Sequence, residues 1–197
     1  MTEKQRERIV SSAHTLALRE GISSLSVRKV AREASIGAST LRYYFPSQDD
    51  LRVAVVARHL ENTLSDRHIF DSSLDASDRL VECLQQFLPS PPVEDSLPFL
   101  PWSRADETEL PNSDPELTNH ILGIATDHAR SRIGRWLNVL KDEGSLASSQ
   151  LTSTISLLCA LVNGLSVDLS SQFASIDYDE AVKIVRNVVE KLVIAEK

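Results

Sequence analysis

Between Ser26 and Leu51 the chain concentrates side chains that hydrogen-bond or carry positive charge: Ser26, Arg28, Lys29, Ser39, Thr40, Arg42, Tyr43, Tyr44 and Gln48. These types suit noncovalent reading of a polyanion. Arg pairs with guanine edges or phosphates, Ser and Thr serve either, and Tyr donates to phosphate. The helix that must carry the first of them is marked by Val27, Val30, Ala31 and Ala34 at i, i+3, i+4 and i+7, one apolar face, with Ser26 ahead of them as N-cap. Arg28, Lys29 and Arg32 fall on its other faces. Cations in a first turn oppose the helix dipole by roughly 0.3 kcal/mol, and a phosphate facing them reverses the sign. Ala34 to Gly37 supply the small residues of a tight corner. In the helix that follows, Leu41 and Phe45 are four apart and share a buried face, which leaves Ser39 and Arg42, with Thr40 and Tyr43 beside them, toward solvent. Pro46 ends that helix, and Ser47 with Asp50 forms a capping-box pattern for the next.

The string from Ala34 to Leu51 resembles the helix-turn-helix signature of TetR-family transcriptional repressors, with Thr40, Leu41, Tyr44, Phe45, Ser47 and Leu51 at its usual positions. Three residues depart from it: Arg42 stands where the family usually has Tyr, Ser35 where the turn usually has Gly, and Gln48 where a Lys often touches phosphate. The resemblance implies an all-α fold, with a three-helix DNA-binding domain over residues 1–47 and a larger helical effector-binding and dimerisation domain over 48–197. It also implies a double-stranded DNA operator as partner, a small-molecule effector and a homodimer. Ser39, Thr40, Arg42 and Tyr43 would then enter the major groove while Ser26, Arg28, Lys29, Tyr44 and Gln48 hold phosphates.

The chain has 197 residues, 42% of them hydrophobic, and a net charge of −7. That total is unevenly divided. Residues 1–60 hold ten Lys/Arg against six Asp/Glu, a balance of +4, and the remainder eleven against twenty-two. The basic part is the part with the motif, and an acidic remainder repels DNA, which favours presenting one face to a duplex. The start MTEKQRER is charged where a signal peptide needs an apolar run, and no continuous stretch approaches the ~20 apolar residues of a membrane span, so a cytoplasmic protein without membrane contact is expected. Cys83 and Cys159 sit in apolar helical patterns and read as buried small hydrophobes, with a redox pair as the alternative.

Further helices are expected around the motif. Ile9, Ala13, Leu16 and Ala17 mark one closed by Gly21; another runs from Ser47 to about Leu64; a third spans Ala76 to Leu88 with Leu80, Cys83, Leu84, Phe87 and Leu88 inward. Seven of the eight prolines fall between Pro89 and Pro115, among Leu97, Phe99, Leu100 and Trp102, and this segment reads as a folded-down loop with a short helix near residues 98–105. A long helix capped by Asp114 ends at Gly144. The last two run from Leu151 to about Phe173 and from Tyr178 onward, and both are apolar on more than one stripe, so each must bury more than one face. The family resemblance implies that these two helices of each subunit pack as a four-helix dimer interface, with Leu158, Val162, Leu165, Leu169, Val185, Val188, Val189 and Leu192 as its candidate contacts; the alternative is that both complete the core of a single chain.

Phe87, Phe99, Trp102, His120, Ile124, His128, Trp136 and Asn163 combine apolar bulk with a few hydrogen-bonding groups and are the candidates for an effector pocket. Asn163 is the most suggestive, an amide in an apolar stretch, since burial without partners costs about 1–3 kcal/mol. No glycine loop for phosphates, G-x-S-x-G elbow, HExxH or CxxC pair is present, and the histidines lack ligand-like spacing, so neither enzyme, cofactor nor metal site is expected. The rivals to a ligand-responsive repressor are a DNA-binding regulator controlled by a protein partner, and an enzyme or adaptor that retains a vestigial helix-turn-helix.

Overall fold

Apolar residues at helical spacing recur along nearly the whole chain, and a computed structural model turns them into helices. It describes residues 3–89, 115–146, 151–171 and 173–194. Among these there are eight α-helices and no strand: α1 (Glu3–Glu20), α2 (Val27–Glu33), α3 (Ala38–Tyr44), α4 (Gln48–Thr63), α5 (Ala76–Gln85), α6 (Pro115–Asp142), α7 (Leu151–Ser170) and α8 (Tyr178–Val188), the last continuing as a short π-helical turn, Val189–Val193. The Pro89–Pro115 segment, the Asp114 cap, Phe99 and Trp102 lie outside the described residues, as does the side chain of Leu192.

The helices group into two compact units, the first containing α1–α4, the second α5, α7, α8 and the greater part of α6. The first unit runs to Thr63, beyond the boundary at residue 47 expected from the motif. The reason is burial: α4 packs along α1 and contributes Leu51, Val55, Val56 and Leu60 to the same interior as Ile9, Ala13, Leu16 and Ala17. Three helices of this length enclose too little apolar surface to stand alone, and α4 supplies the missing wall. Gly21 ends α1 in the left-handed region, φ 81°, donating its N–H to the Ala17 carbonyl at 2.9 Å. Ser47 and Asp50 cap α4 reciprocally, the Asp50 N–H on Ser47 Oγ and the Ser47 N–H on Asp50 Oδ2, both at 3.0 Å. The Ser47 hydroxyl, which also donates to Asp50 Oδ2 at 2.7 Å, and after it the Ser47 N–H hold the Asp50 carboxyl below its ordinary pKa.

Where α1 meets α4, the rings of His14 and His59 lie 5.5 Å apart with Nε2 of one 3.3 Å from Nδ1 of the other. One ring must donate and the other accept, so the accepting ring is neutral and the two cannot both be protonated. Burial, and secondarily the neighbouring His14, lowers the His59 pKa to about 4.

In the second unit α5, α6, α7 and α8 surround Leu80, Leu84, Ile133, Trp136, Leu137, Leu140, Leu158, Val162, Ala181, Val185 and Val189, all of them fully buried. Asp75 and Asp177 cap α5 and α8 through the Ser77 and Glu180 N–H groups, each at 2.8 Å. The end of α6 is a Schellman turn: Ser145 N–H reaches the Leu140 carbonyl and Gly144 N–H the Lys141 carbonyl, both at 2.9 Å, with Gly144 at φ 73°. A side chain at Gly144 would meet no atom within 4 Å, so the backbone angle alone demands glycine. Arg79, 3% exposed, fastens α5 to this turn by a forked pair with Glu143, at 3.1 and 2.6 Å, and also donates to the Ile69 carbonyl at 2.7 Å. These bonds raise the Arg79 pKa and lower that of Glu143.

Two expectations about the last helices change. Leu158, Val162, Leu165, Val185 and Val189 are buried inside this chain's own core and are not available to a second copy, while Leu169 and Val188 are half-buried against that core. The outward face of α7 instead carries Leu157, Ala160, Gly164 and Val167 at i, i+3, i+7 and i+10, with Leu157 41% and Val167 58% exposed. Secondly, α7 is long and apolar enough by length and composition to cross a membrane, although no continuous apolar run of that length is present. Its apolar mean arises from the inward stripe together with this outward one.

Two stability predictions follow from these contacts. Replacing Glu143 by Leu strands a buried guanidinium and should cost about 3 kcal/mol in urea unfolding, more than Arg79→Met, which leaves a carboxylate that water can reach. Because the unfolded chain binds a proton on His59 near pH 6.5 and the folded unit resists it until about pH 4, stability should fall as pH drops through that window and stay level above it. In His59→Gln, urea midpoints measured at pH 7.5 and 5 should lose that component of the difference.

Candidate nucleic-acid interface

Seven residues make a short helix, and α2 is held at both ends. Ser26 Oγ accepts the Lys29 N–H at 3.4 Å at its start. At its end Ile36 N–H bonds the Ala31 carbonyl at 2.9 Å and Ser35 N–H the Arg32 carbonyl at 3.1 Å, a Schellman turn identical in pattern to that at Gly144. The residue in the left-handed position here is Ser35, φ 52°. A residue with a Cβ is disfavoured there by about 1 kcal/mol, so the turn is held by its surroundings. Arg8 of α1 adds a guanidinium donor to the Ala34 carbonyl at 3.3 Å, a cation at the negative end of α2. Gly37, φ −72°, then starts α3.

On α3, Leu41 and Phe45 are buried, 1% and 3% exposed, and Arg6 lies over the Phe45 ring at 5.2 Å. With that face pinned, Ser39, Arg42 and Tyr43 project outward, Tyr43 being 70% exposed, and Thr40 is half-buried beside them. The result is an exposed helix edge with a guanidinium, a hydroxyl and a phenol on adjacent turns, backed by a fixed turn and a closed core. Arg28 and Arg32 are exposed on α2.

Three of the expected phosphate contacts are differently disposed. The Tyr44 hydroxyl is enclosed, because Tyr44 follows Leu41 by three residues and turns toward the interior with its ring edge-on to Tyr43 at 5.2 Å. The Gln48 side-chain amide donates to the Leu25 carbonyl, tying the start of α4 to the residue before α2, and Gln48 is half-buried. Lys29 Nζ is bound to Glu20 Oε2 at 3.0 Å. The last contact belongs to a network absent from the motif: Arg19 bridges Glu20 at 3.2 Å and Glu33 at 3.2 Å, so the end of α1 is joined to both ends of α2 by alternating charges. The bond from Lys29, followed by that from Arg19, lowers the Glu20 pKa, and the bonds to Glu33 and Glu20 raise that of Arg19. Sequence separation hid these pairs, because Lys29 is nine residues from Glu20 and the helices differ.

The effector candidates in the described second unit divide as follows. Phe87 and Trp136 are brought together, rings 6.0 Å apart and edge-on, with Trp136 fully buried. The Trp136 Nε1–H donates to Asp66 Oδ1 at 2.9 Å, and Arg132 and Arg135 bridge the same carboxylate at 3.3 and 2.9 Å. Asp66 carried no signal in the sequence, standing as one acid in a turn. On α6, His128 is half-buried, as is Ile124, while His120 is exposed. Asn163 is exposed on α7 and does not carry the burial cost assigned to it. Both cysteines are buried, and that burial raises their thiol pKa values, Cys83 to about 12, which removes the thiolate a redox pair needs. Among the described residues no three His, Cys, Asp or Glu are grouped to hold a metal.

Comparison with known proteins places this geometry. The chain is similar to the HTH-type transcriptional regulator PksA of Bacillus subtilis (strain 168), 28% identical over 90 residues that cover 45% of this chain and 43% of PksA. It spans less than half the length of the curated relatives it matches. Among solved structures, a TetR-family transcriptional regulator from Rhodococcus sp. is 24% identical with a TM-score of 0.62, over 96% of this chain and 98% of its own. A transcriptional regulator from Saccharomonospora viridis, solved in complex with choline, is 20% identical with a TM-score of 0.57, over 99% and 100%. At such identities the likeness is one of fold. Residues 9–55, from the interior of α1 to the middle of α4, match the family model for bacterial regulatory proteins of the tetR family, so this segment is a TetR-type DNA-binding domain.

Proposed function

We propose that this protein is a homodimeric, DNA-binding regulator of transcription, acting in the cytoplasm as a repressor that a small-molecule effector releases from its operator. The observation that carries the reading is the outward presentation of Ser39, Arg42 and Tyr43 on an α3 whose other face is pinned by Leu41 and Phe45. Arg42 and Ser39 read base edges in the major groove with Thr40 and Tyr43 flanking them, and Arg28 and Ser26 at the start of α2 meet phosphate. The local positive balance in an otherwise acidic chain supports the same face.

The dimer forms through the outward stripe of α7. Ala160 and Gly164 let a second helix approach closely, and Leu157 and Val167 flank them with apolar surface that water otherwise covers. A two-fold pair then sets two α3 helices about one DNA turn, roughly 34 Å, apart. The choline held by the Saccharomonospora viridis protein supports an effector of small size. In this chain the half-buried Phe87, its ring edge-on to the buried Trp136, is the apolar group it would engage. An effector that moves the population almost fully to a released state must prefer that state by roughly 5 kcal/mol.

Arg42→Ala should weaken binding of a selected operator duplex by about 1–3 kcal/mol and relax preference at one position in each half-site, as read by anisotropy and by selection from a random library. A loss equal across all sequences would reassign Arg42 to phosphate. Val167→Glu should convert the dimer to a folded monomer in sedimentation velocity with its circular dichroism preserved, since Val167 contributes nothing to the buried interior. An unaltered dimer would reject the α7 face.

A further inference from the structure

The cations at the end of α1 and on α2 and α3 fall into two groups. Arg28, Arg32 and Arg42 are exposed, and among the described residues none of them forms an ion pair. Lys29 and Arg19 are instead committed within the chain: Glu20 binds Lys29 at 3.0 Å and Arg19 at 3.2 Å, and Glu33 binds Arg19 at 3.2 Å. The order of charges, Lys29, Glu20, Arg19, Glu33, alternates and sums to zero.

Stability is a weak reason for this arrangement. The four side chains are 31–53% exposed, and ion pairs at such positions contribute little to folding. Lys29 also sits in the first turn of α2, where a cation opposes the helix dipole. What the network changes is the charge offered to a polyanion. A phosphate that takes Lys29 must displace Glu20, and the carboxylate left behind is repelled by the same phosphate. Each committed cation therefore removes one counterion-release event from sequence-independent binding. Base-facing groups on α3 are untouched by this subtraction.

We propose that Glu20 and Glu33 are specificity-determining residues, which withhold Lys29 and Arg19 from DNA phosphates and so lower non-specific affinity relative to readout by α3. The proposal rests on the DNA-binding reading given above. It assigns the two carboxylates a role in recognition although neither touches a base.

The test uses the full chain and a random-sequence duplex of about 30 base pairs, with affinity followed by anisotropy over a salt series. Glu20→Gln/Glu33→Gln should bind roughly tenfold more tightly at low salt, with the slope of log K against log salt steeper by about one to two. Asp142→Asn/Asp179→Asn changes net charge equally at exposed positions outside the network and should leave the slope unaltered. Lys29→Gln should have no effect on the slope in the wild-type background and should remove about one unit in the Glu20→Gln background. That contrast holds in the single Glu20→Gln variant should the double variant lose helicity. A slope insensitive to Glu20, an equal response in the control pair, or a Lys29→Gln effect of the same size in both backgrounds overturns the proposal while leaving DNA binding intact. Absence of any salt-dependent duplex binding by the wild-type chain overturns the DNA-binding reading itself, and this proposal with it.

Discussion

The hydrogen bond from Ile36 N–H to the Ala31 carbonyl depends on Ser35 adopting φ 52°, and the angle between α2 and α3 depends on that bond. With a Cβ in the left-handed region the turn is strained by itself, yet everything around it acts in the same sense. Arg8 holds the Ala34 carbonyl, Gln48 holds Leu25, and Leu41 and Phe45 lock α3 from below. A backbone outlier persists when its surroundings over-determine it. The exposed edge of Ser39, Arg42 and Tyr43 inherits its direction from this turn, and through it from α1 and α4.

Electrostatics then refines what the geometry presents. A basic N-terminal part suggests a uniformly attractive face, but the ion pairs at the end of α1 make it a selective one. Lys29 and Arg19 carry charge that Glu20 and Glu33 already balance, whereas Arg28, Arg32 and Arg42 present theirs outward. The same principle works by burial in the second unit, where Arg79 is tied to Glu143 and Asp66 gathers Arg132, Arg135 and the Trp136 indole. In that unit the charges organise the chain itself, joining α5 to the end of α6 and the turn after α4 to the middle of α6.

The final helices show how one composition serves two surfaces. Helix α7 is apolar over most of its circumference because Leu158, Val162 and Leu165 fill the interior while Leu157, Ala160, Gly164 and Val167 lie outside. Composition and periodicity register both stripes alike. Which one closes the chain's own core is decided by where Leu80, Trp136 and Val185 come to lie, and that is information held by other segments.

From the sequence alone, local rules determined the helices, their caps and the motif. Ser26, Gly21, Ser47 with Asp50, and Gly144 act on neighbours a few residues away, and the i to i+4 spacing of Leu41 and Phe45 already separates the inward face of α3 from Ser39 and Arg42. The family resemblance likewise lay in contiguous residues. Tertiary structure decided what depends on distant partners: that Lys29 answers to Glu20 and Gln48 to Leu25, that the Tyr44 hydroxyl is enclosed, that Asn163 is exposed, that α4 completes the first unit, and that Asp66 is a hub. The physical reason is range: hydrogen bonding along a helix is set by residues within one turn, whereas burial and ion pairing are set by whichever segments packing brings together.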